Sequence, residues 1–207
     1  MTMPFLAAIC TGQAREVAAK SGLTGIDKQP VEGPVGIGPE GVAGDTIVDR
    51  ANHGGAEQAV YAYCAPDAAF WAERLGRDIA PGTFGENLHL GGIESADFAV
   101  GDELWIGPVR LQVTSPRIPC ATLAARMDDP GFVRAFHRAG RPGPYFRVLA
   151  GGTVAAGQAV RFVPFDGPRL PIAEMAGLPA PERIAPALRA RLLSLPIHAK
   201  LRAALAA

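Results

Sequence analysis

The chain of 207 residues has the length of one medium domain, or of one domain with a small appendage. Its 20 basic and 20 acidic side chains give a formal net charge of zero, so charge gives no reason to expect nucleic acid as a partner. Hydrophobic residues make up 48% of the chain, and the 25 glycines and 19 prolines predict the many turns of a mainly β fold with flanking helices.

The cysteines are three and scattered: Cys10, Cys64 and Cys120 form no CxxC pair, and no histidines stand at zinc-finger spacing. This pattern argues against a disulfide framework, an iron–sulfur cluster and a structural zinc site. No apolar run is long enough for a membrane span, and the first ten residues lack the basic start of a signal peptide. The sequence therefore predicts a cytoplasmic protein whose partners include neither a membrane nor a nucleic acid.

The first part of the chain predicts short strands separated by loops. Residues 5–10 and 16–20 have strand character, and Lys28 follows in a loop-rich stretch. Lys28 is either an anion-binding residue or a solvated lysine; the local sequence leaves both open.

The segment 36–41, GIGPEG, matches the GxGxxG pattern of dinucleotide-binding folds. That pattern requires a helix that begins at its last glycines and points at the pyrophosphate. Pro39 and the β-branched residues at 46–48 oppose such a helix. We therefore expect no nicotinamide site at this segment.

Two glycine-rich loops carry side chains that could contact a ligand. His53 precedes Gly54 and Gly55, and glycines let a backbone approach a ligand closely; the alternative is a histidine that caps a turn. Glu86 and Asn87 place a carboxylate beside an amide after a second glycine-rich turn. Such a pair binds the polar edge of a heterocycle or simply satisfies the amides of its own turn.

Cys120 lies between a predicted strand and a predicted helix. Residues 109–113 alternate apolar and polar side chains, as a half-buried strand does, and two prolines then end the strand. Residues 121–127 begin a helix, so the Cys120 thiol would face unpaired N–H groups and the positive end of the dipole, which favour thiolate. Arg117 adds a positive charge nearby. The alternative is a small cysteine that fills core space.

Basic residues follow the cysteine helix. Residues 131–139 predict a second helix, with His137 on its solvated face. Arg141 and Arg147 lie in a rigid loop and the strand after it, where each could hold a phosphate by bidentate contacts.

The composition changes after residue 164, which predicts a β domain over residues 1–165 and a helical tail over residues 166–207. Residues 172–178, 181–194 and 197–207 read as three short helices broken by prolines. So short a segment cannot bury a core alone, so the tail packs on the β domain or joins two copies of the chain into a homodimer.

In this order, these motifs resemble the MOSC family, named for the C-terminal domain of molybdenum cofactor sulfurases. The tail resembles that of the bacterial YiiM-like branch, which is linked to resistance against hydroxylaminopurine. The matching stretches are Lys28 with Pro30-Val31, Gly33-Pro34-Val35, Gly41 with Gly44-Asp45, His53-Gly54-Gly55 with Ala59-Val60-Tyr61, Phe84-Gly85-Glu86-Asn87-Leu88, Gly101-Asp102, Pro116-Arg117-Ile118-Pro119-Cys120, and Gly143 with Tyr145-Phe146-Arg147-Val148-Leu149.

The resemblance implies a MOSC-type β-barrel that binds a pterin-based molybdenum cofactor (Mo-molybdopterin). It implies that Cys120 is the thiolate ligand of molybdenum, which agrees with the preference of such a metal for soft ligands. It further implies that His53 or Glu86 relays protons. Carried over by motif, the catalytic residues are Cys120, His53 and Glu86, and the cofactor-binding residues are Cys120, Arg117, Asn87, Arg141, Arg147 and Lys28.

The activity that the resemblance implies is reduction of N-hydroxylated compounds, N-hydroxylated purines among them, to the amine and water. A separate reductase would supply the electrons, because the chain has neither a flavin motif nor cysteines spaced for a cluster. Two alternatives stay open. One is a sulfur carrier or cofactor-handling module with a persulfide on Cys120; the other is a ligand-binding protein without turnover.

The chain departs from the branch pattern at several positions. Asn52 stands where a second histidine is common, Glu57-Gln58 replaces an Asp-Lys pair, and His89 replaces a threonine. Pro142 and Pro144 replace a threonine and a tryptophan. These changes affect the expected substrate shape and phosphate contacts more than the assignment of Cys120.

Overall fold

The structure is a computed structural model that describes residues 3–16, 22–49 and 53–206. Most of the strand predicted over residues 16–20, and Asn52, therefore lie outside the described residues. The strands are β1 (Phe5–Gly12), β2 (Arg15–Glu16), β3 (Leu23–Thr24), β4 (Lys28–Pro30), β5 (Val35–Gly38), β6 (Gly41–Val42), β7 (Val60–Cys64), β8 (Leu88–Gly91), β9 (Glu103–Ile106), β10 (Val109–Pro116), β11 (Pro144–Ala150), β12 (Gly152–Val154) and β13 (Arg161–Val163).

The helices lie between β7 and β8, between β10 and β11, and after β13. None of those in the described residues is both long and apolar enough to cross a membrane. The α-helices are α1 (Ala65–Leu75), α2 (Ala121–Met127), α3 (Phe132–Ala139), α4 (Ile172–Ala176), α5 (Pro186–Leu193) and α6 (Ala199–Ala206), and 3₁₀ turns cover Ala56–Gln58, Ser95–Asp97 and Pro181–Arg183.

Eight strands form one mixed sheet in the order β13-β9-β10-β11-β7-β8-β1-β4. Neighbours are antiparallel except β7 and β8, which run parallel. A parallel pair needs a crossover, and α1 supplies it between these two strands. The long antiparallel pair of β10 and β11 brings the stretch before Cys120 beside the stretch that contains Tyr145.

The sheet is open, so the predicted closed MOSC-type barrel is wrong and the fold is mixed α/β rather than mainly β. The edge strands β4 and β13 have three residues each. Pro30 ends β4 and Pro164 follows β13. Because proline has no N–H, it cannot donate to a further strand at these edges. Strands β12, β5 and β6 pair with one another in a separate three-stranded sheet and do not close the gap.

The GxGxxG segment is a hairpin turn. It joins β5 to β6, with Gly38 paired to Gly41. The chain continues past Gly41 as a strand, which confirms the prediction that no helix begins at these glycines.

Helices α1, α2 and α3 cover a largely aromatic core on one side of β7. Trp71 of α1 lies 4.8 Å from Phe132 and 5.9 Å from Phe136 of α3, measured between ring centroids. The predicted helices at 121–127 and 131–139 are confirmed as α2 and α3. Gly140 ends α3 in the left-handed conformation, and His137 is exposed, as expected.

The three helices predicted after residue 164 are present as α4, α5 and α6, although proline limits α5 to eight residues. They pack against the sheet through an apolar cluster that joins Leu170, Leu192 and Ile197 to Val100. The C-terminal tail (residues 166–207) thus buries its apolar side chains against the rest of the same chain. The division at residue 165 stays a prediction, and so does a homodimer through the tail.

Candidate functional site

A cavity of about 110 Å³ opens beside the start of α2. Part of its wall is apolar or aromatic, with Ile26, Ile47, Tyr61 and Tyr145 among the contributors. Of the residues that the sequence singled out as catalytic or cofactor-binding, the wall contains Lys28, His53, Asn87, Arg117 and Cys120. Residues that are distant in sequence therefore line the same cavity.

Cys120 occupies the N-cap position of α2, as the sequence predicts. Burial alone would raise the pKa of its thiol. A hydrogen bond with His53, the charge of Arg117 and the amide of Leu123 outweigh that effect and lower the pKa from 9.0 to about 6. At neutral pH the cavity therefore contains a thiolate, which is a nucleophile and a soft metal ligand.

His53 reaches the thiol from a loop that only glycine permits. Gly54 has a φ of 75°, and a side chain there would come within 2.7 Å of Ile47, which also lines the cavity. The amide of His53 donates to the carbonyl of Asp49 at 2.9 Å, which fixes the backbone of His53. The loop histidine of the sequence analysis is thus a neighbour of the thiol.

Arg117 is buried, with 5% of its surface exposed. Its guanidinium lies 4.9 Å above the Tyr61 ring and 3.5 Å from the Tyr145 hydroxyl. Among the described residues no carboxylate pairs with it, and its Nε has no hydrogen-bond partner. A buried cation with unused donors is costly unless an anion accepts from it, so Arg117 marks an anion-binding position in the wall.

Lys28 is also buried but, unlike Arg117, it has a carboxylate partner, because its ammonium pairs with Asp45. Burial lowers the pKa of Lys28, and Asp45 opposes that shift. The Asp45 carboxylate also accepts from the Gly12 amide at 2.8 Å and from the Asn87 side chain at 2.9 Å. This network fixes one wall of the cavity and places a proton-bearing nitrogen in it.

Glu86 is fully buried and does not line the cavity. Its carboxylate accepts from the amides of Gly82 at 2.8 Å and Phe84 at 3.1 Å, and lies 2.9 Å from Nδ1 of His89. These contacts hold the turn before Asn87, whose backbone pairs with Tyr61. The geometry corresponds to the turn-satisfying interpretation of this carboxylate.

Arg141 and Arg147 also lie away from the cavity wall. Arg141 donates to Asp67 at 2.6 Å and to Glu94 at 3.2 Å. Arg147 donates to Glu57 at 2.7 Å and to carbonyls of the tail. Their phosphate-binding roles and the proton-relay role of Glu86 stay predictions.

Sequence reasoning did not identify several cavity residues as functional. Tyr61 and Tyr145 were part of the matching motifs, but nothing in their local pattern distinguishes a cavity tyrosine from a core one. Asp45 follows Gly44, and its pairing with Lys28, 17 residues earlier, is visible only in the fold. Gln58 lines the cavity directly after Glu57, at a position where the branch pattern differs.

The described residues contain no group of three or more His, Cys, Asp or Glu side chains arranged to hold a bare metal ion. A metal at Cys120 would therefore take its remaining ligands from a cofactor or from solvent. Together with the anion-binding position at Arg117, this arrangement suits an anionic metal complex better than a free cation.

Comparison with known proteins gives a family match and several relatives. The sequence model of the MOSC domain matches residues 49–161. Uncharacterized protein YflK of Bacillus subtilis is 37% identical over 145 residues, which is 70% of this chain and 66% of YflK. A protein of Gibberella moniliformis named "Reductase" is 33% identical over 141 residues, which is 65% of this chain and 25% of that protein. The matched segment thus spans just under two thirds of YflK and a quarter of the fungal protein.

Among solved structures, the crystal structure of YiiM from Geobacillus stearothermophilus is similar over nearly the whole chain. It has a TM-score of 0.80 and 31% sequence identity, with 98% of this chain and 97% of that chain covered. This similarity includes the C-terminal tail as well as the sheet.

Proposed function

Because the chain belongs to the MOSC domain family and is YiiM-like, we propose that it is a molybdenum-cofactor-dependent reductase of N-hydroxylated compounds, such as N-hydroxylated purines. MOSC domains are associated with the molybdenum cofactor, and one relative bears the name reductase. The observation that carries the proposal is one cavity that joins the Cys120 thiol to His53 and to a buried Arg117, which pairs with no carboxylate among the described residues.

The donor set of the cavity fits the metal end of such a cofactor. Cys120 offers one soft thiolate, and Arg117 offers a positive charge and a free Nε–H to an oxo or phosphate oxygen. The cavity is partly open to solvent, and these two side chains concern the metal end of the group and not the pterin.

When bound, the cofactor would supply the redox chemistry of N–O cleavage. The balanced reaction takes R–NH–OH, two electrons and two protons to R–NH₂ and water. In the proposal Cys120 holds the metal, while Arg117 and Lys28 stabilise negative charge on the departing oxygen. His53, which lies beside the thiolate, would carry protons to the reacting atoms.

The electrons come, in this proposal, from a separate reductase. The sequence has no flavin-binding motif and no cysteine spacing for an iron–sulfur cluster. In the fungal protein named "Reductase", three quarters of the length lies outside the matched segment. The fungal protein therefore has room for further domains outside the segment that resembles this chain.

The test is production of the protein in cells that make the cofactor, followed by elemental analysis and an assay of N-hydroxylaminopurine reduction with a chemically reduced dye. We expect about one molybdenum per chain and turnover. Cys120→Ala should lose both, because it removes the only cysteine in the cavity wall. The matched control Cys64→Ala, a buried cysteine away from the cavity, should keep both. Full activity of Cys120→Ala would contradict the proposal.

One observation favours a second candidate function, that of a sulfur carrier. Cys120 is only half-buried, and its pKa of about 6 makes it a nucleophile at neutral pH. Attack of this thiolate on the outer sulfur of a donor persulfide would give a Cys120 persulfide and release the donor thiolate. Intact-mass analysis under native conditions distinguishes the candidates, since a persulfide adds one sulfur atom and a cofactor adds a metal and a pterin.

A further inference from the structure

Arg147 lies at a junction between the sheet, the cavity loop and the C-terminal tail. It is on β11, two residues after the cavity residue Tyr145. Its Nη2 lies 2.7 Å from a carboxylate oxygen of Glu57, 2.9 Å from the carbonyl of Pro196 and 3.4 Å from that of Ile197. One guanidinium nitrogen thus connects a side chain near the cavity to the tail between α5 and α6.

Glu57 is held at its backbone as well as at its side chain. Its carbonyl accepts from the Thr114 hydroxyl at 2.6 Å, and the Thr114 carbonyl accepts from the amide of His198 at 3.3 Å. Glu57 is therefore bonded to Thr114 of β10 and to Arg147 of β11, and each of these two residues is in turn bonded to the tail. Glu57 and Arg147 are separated by 90 positions in sequence, so this grip exists only in the folded chain.

Cavity-lining residues stand on both sides of Glu57 in the sequence. Gln58 directly follows it, and Gly54 and His53 stand three and four positions before it. Gly54 and Gly55 both have positive φ, at 75° and 77°, and glycines of this kind leave a segment free to move unless it is anchored elsewhere. The 3₁₀ turn that contains Glu57 is that anchor.

We propose that Arg147 is a positioning residue, which holds Glu57 between the sheet and the tail and thereby keeps His53 and Gln58 at the cavity. The tail is then part of the scaffold of the site and not an appendage. The inference rests on the proposed function only for its effect on turnover, since the placement of the loop is a property of the chain without cofactor.

The experiment is hydrogen exchange of the cofactor-free full chain, followed in peptides that cover residues 53–58. In the wild type the amides of His53 and Gln58 are bonded to Asp49 and Gly55, each at 2.9 Å. Arg147→Met should speed exchange in this segment about tenfold, as local opening does, and leave β7 and β8 unchanged. Arg147→Lys keeps the charge opposite Glu57 and should restore most of the protection.

A matched control is Arg110→Met. Arg110 pairs with Glu103 at 3.0 Å near the other end of β10, so the same substitution removes a similar ion pair far from Glu57. It should not alter exchange at residues 53–58. Unchanged exchange in folded Arg147→Met, or equal acceleration in Arg110→Met, would overturn the inference.

A second variant keeps the inference testable if Arg147→Met does not fold. Glu57→Gln removes only the charge and should also speed exchange of residues 53–58. If the double variant of Glu57→Gln and Arg147→Met folds, its effect on exchange should be smaller than the sum of the two single effects. In the loaded enzyme, Arg147→Lys should retain more of kcat than Arg147→Met at similar KM. Absence of turnover in the wild type would refute the proposed function and leave the exchange result standing.

Discussion

Arg117 and Arg141 are two arginines in almost the same aromatic setting with opposite consequences. The Arg117 guanidinium lies 4.9 Å above Tyr61, and that of Arg141 lies 4.8 Å above Phe70. Arg141 has two carboxylates, Asp67 at 2.6 Å and Glu94 at 3.2 Å, whereas no described carboxylate pairs with Arg117.

In our proposal, the difference separates a region that stabilises the fold from a region that binds a ligand. Around Arg141 the cation already has two carboxylate partners, and the buried Asp67 also accepts from the amide and hydroxyl of Ser95. Around Arg117 a cation and a thiolate-forming cysteine share a cavity with donors left unused. Residue type does not separate the two regions; the partners that each arginine already has do.

The largest expected effect comes from Arg117→Met. It removes the cation that, in our proposal, stabilises negative charge in the reaction, and loss of one such donor costs about 10²–10³ in rate. The fold should persist, because an unpaired buried charge is replaced by an apolar side chain of similar length. The measurement is the rate of N-hydroxylaminopurine reduction together with the urea midpoint. A rate within a factor of about three of wild type would contradict this role.

Arg141→Met should produce the complementary result. It leaves the fully buried Asp67 without its ion-pair partner, which should lower the free energy of unfolding by about 2 kcal/mol, less than for a fully buried pair because Arg141 is partly exposed. Urea unfolding measures this loss. The rate per folded, loaded molecule should stay near wild type, and a hundredfold fall would show that Arg141 acts on the ligand after all.

The sequence predicts the centre of the site better than its surroundings. The strand, the prolines and the helix around Cys120 are local features, and so is the failure of the GxGxxG segment to form a helix. Closure of the sheet depends on strands far apart in sequence, and the prolines at its edges do not by themselves reveal that it stays open.

Arginine partners are equally non-local. Arg141 meets Asp67 across 74 positions, and Arg147 meets Glu57 across 90. A sequence motif therefore suggests that both arginines are available to a ligand. In the fold, however, Arg141 donates to carboxylates, and Arg147 donates to a carboxylate and to carbonyls of the tail. Glu86 illustrates the same point locally, because its carboxylate is taken by the amides of its own turn.

The most direct test of the account is the pH dependence of alkylation at Cys120 in the cofactor-free chain, read by peptide mass. Because the pKa of Cys120 is lowered to about 6, the reactive thiolate is lost as the pH falls through 6. At pH 7 ionisation of the thiol is nearly complete. His53→Ala should raise the pKa, so that the thiolate fraction at pH 7, and with it the alkylation rate, falls about twofold if the pKa reaches about 7 and about tenfold if it reaches about 8.

Cys10 is the internal control, because burial, aided by the nearby Glu86, raises the pKa of its thiol to about 12. The account predicts that alkylation of Cys120 is half-maximal near pH 6 and has levelled off by pH 8, while Cys10 stays unreactive. A Cys120 rate that still rises steadily towards pH 9, and is the same in His53→Ala, would contradict it.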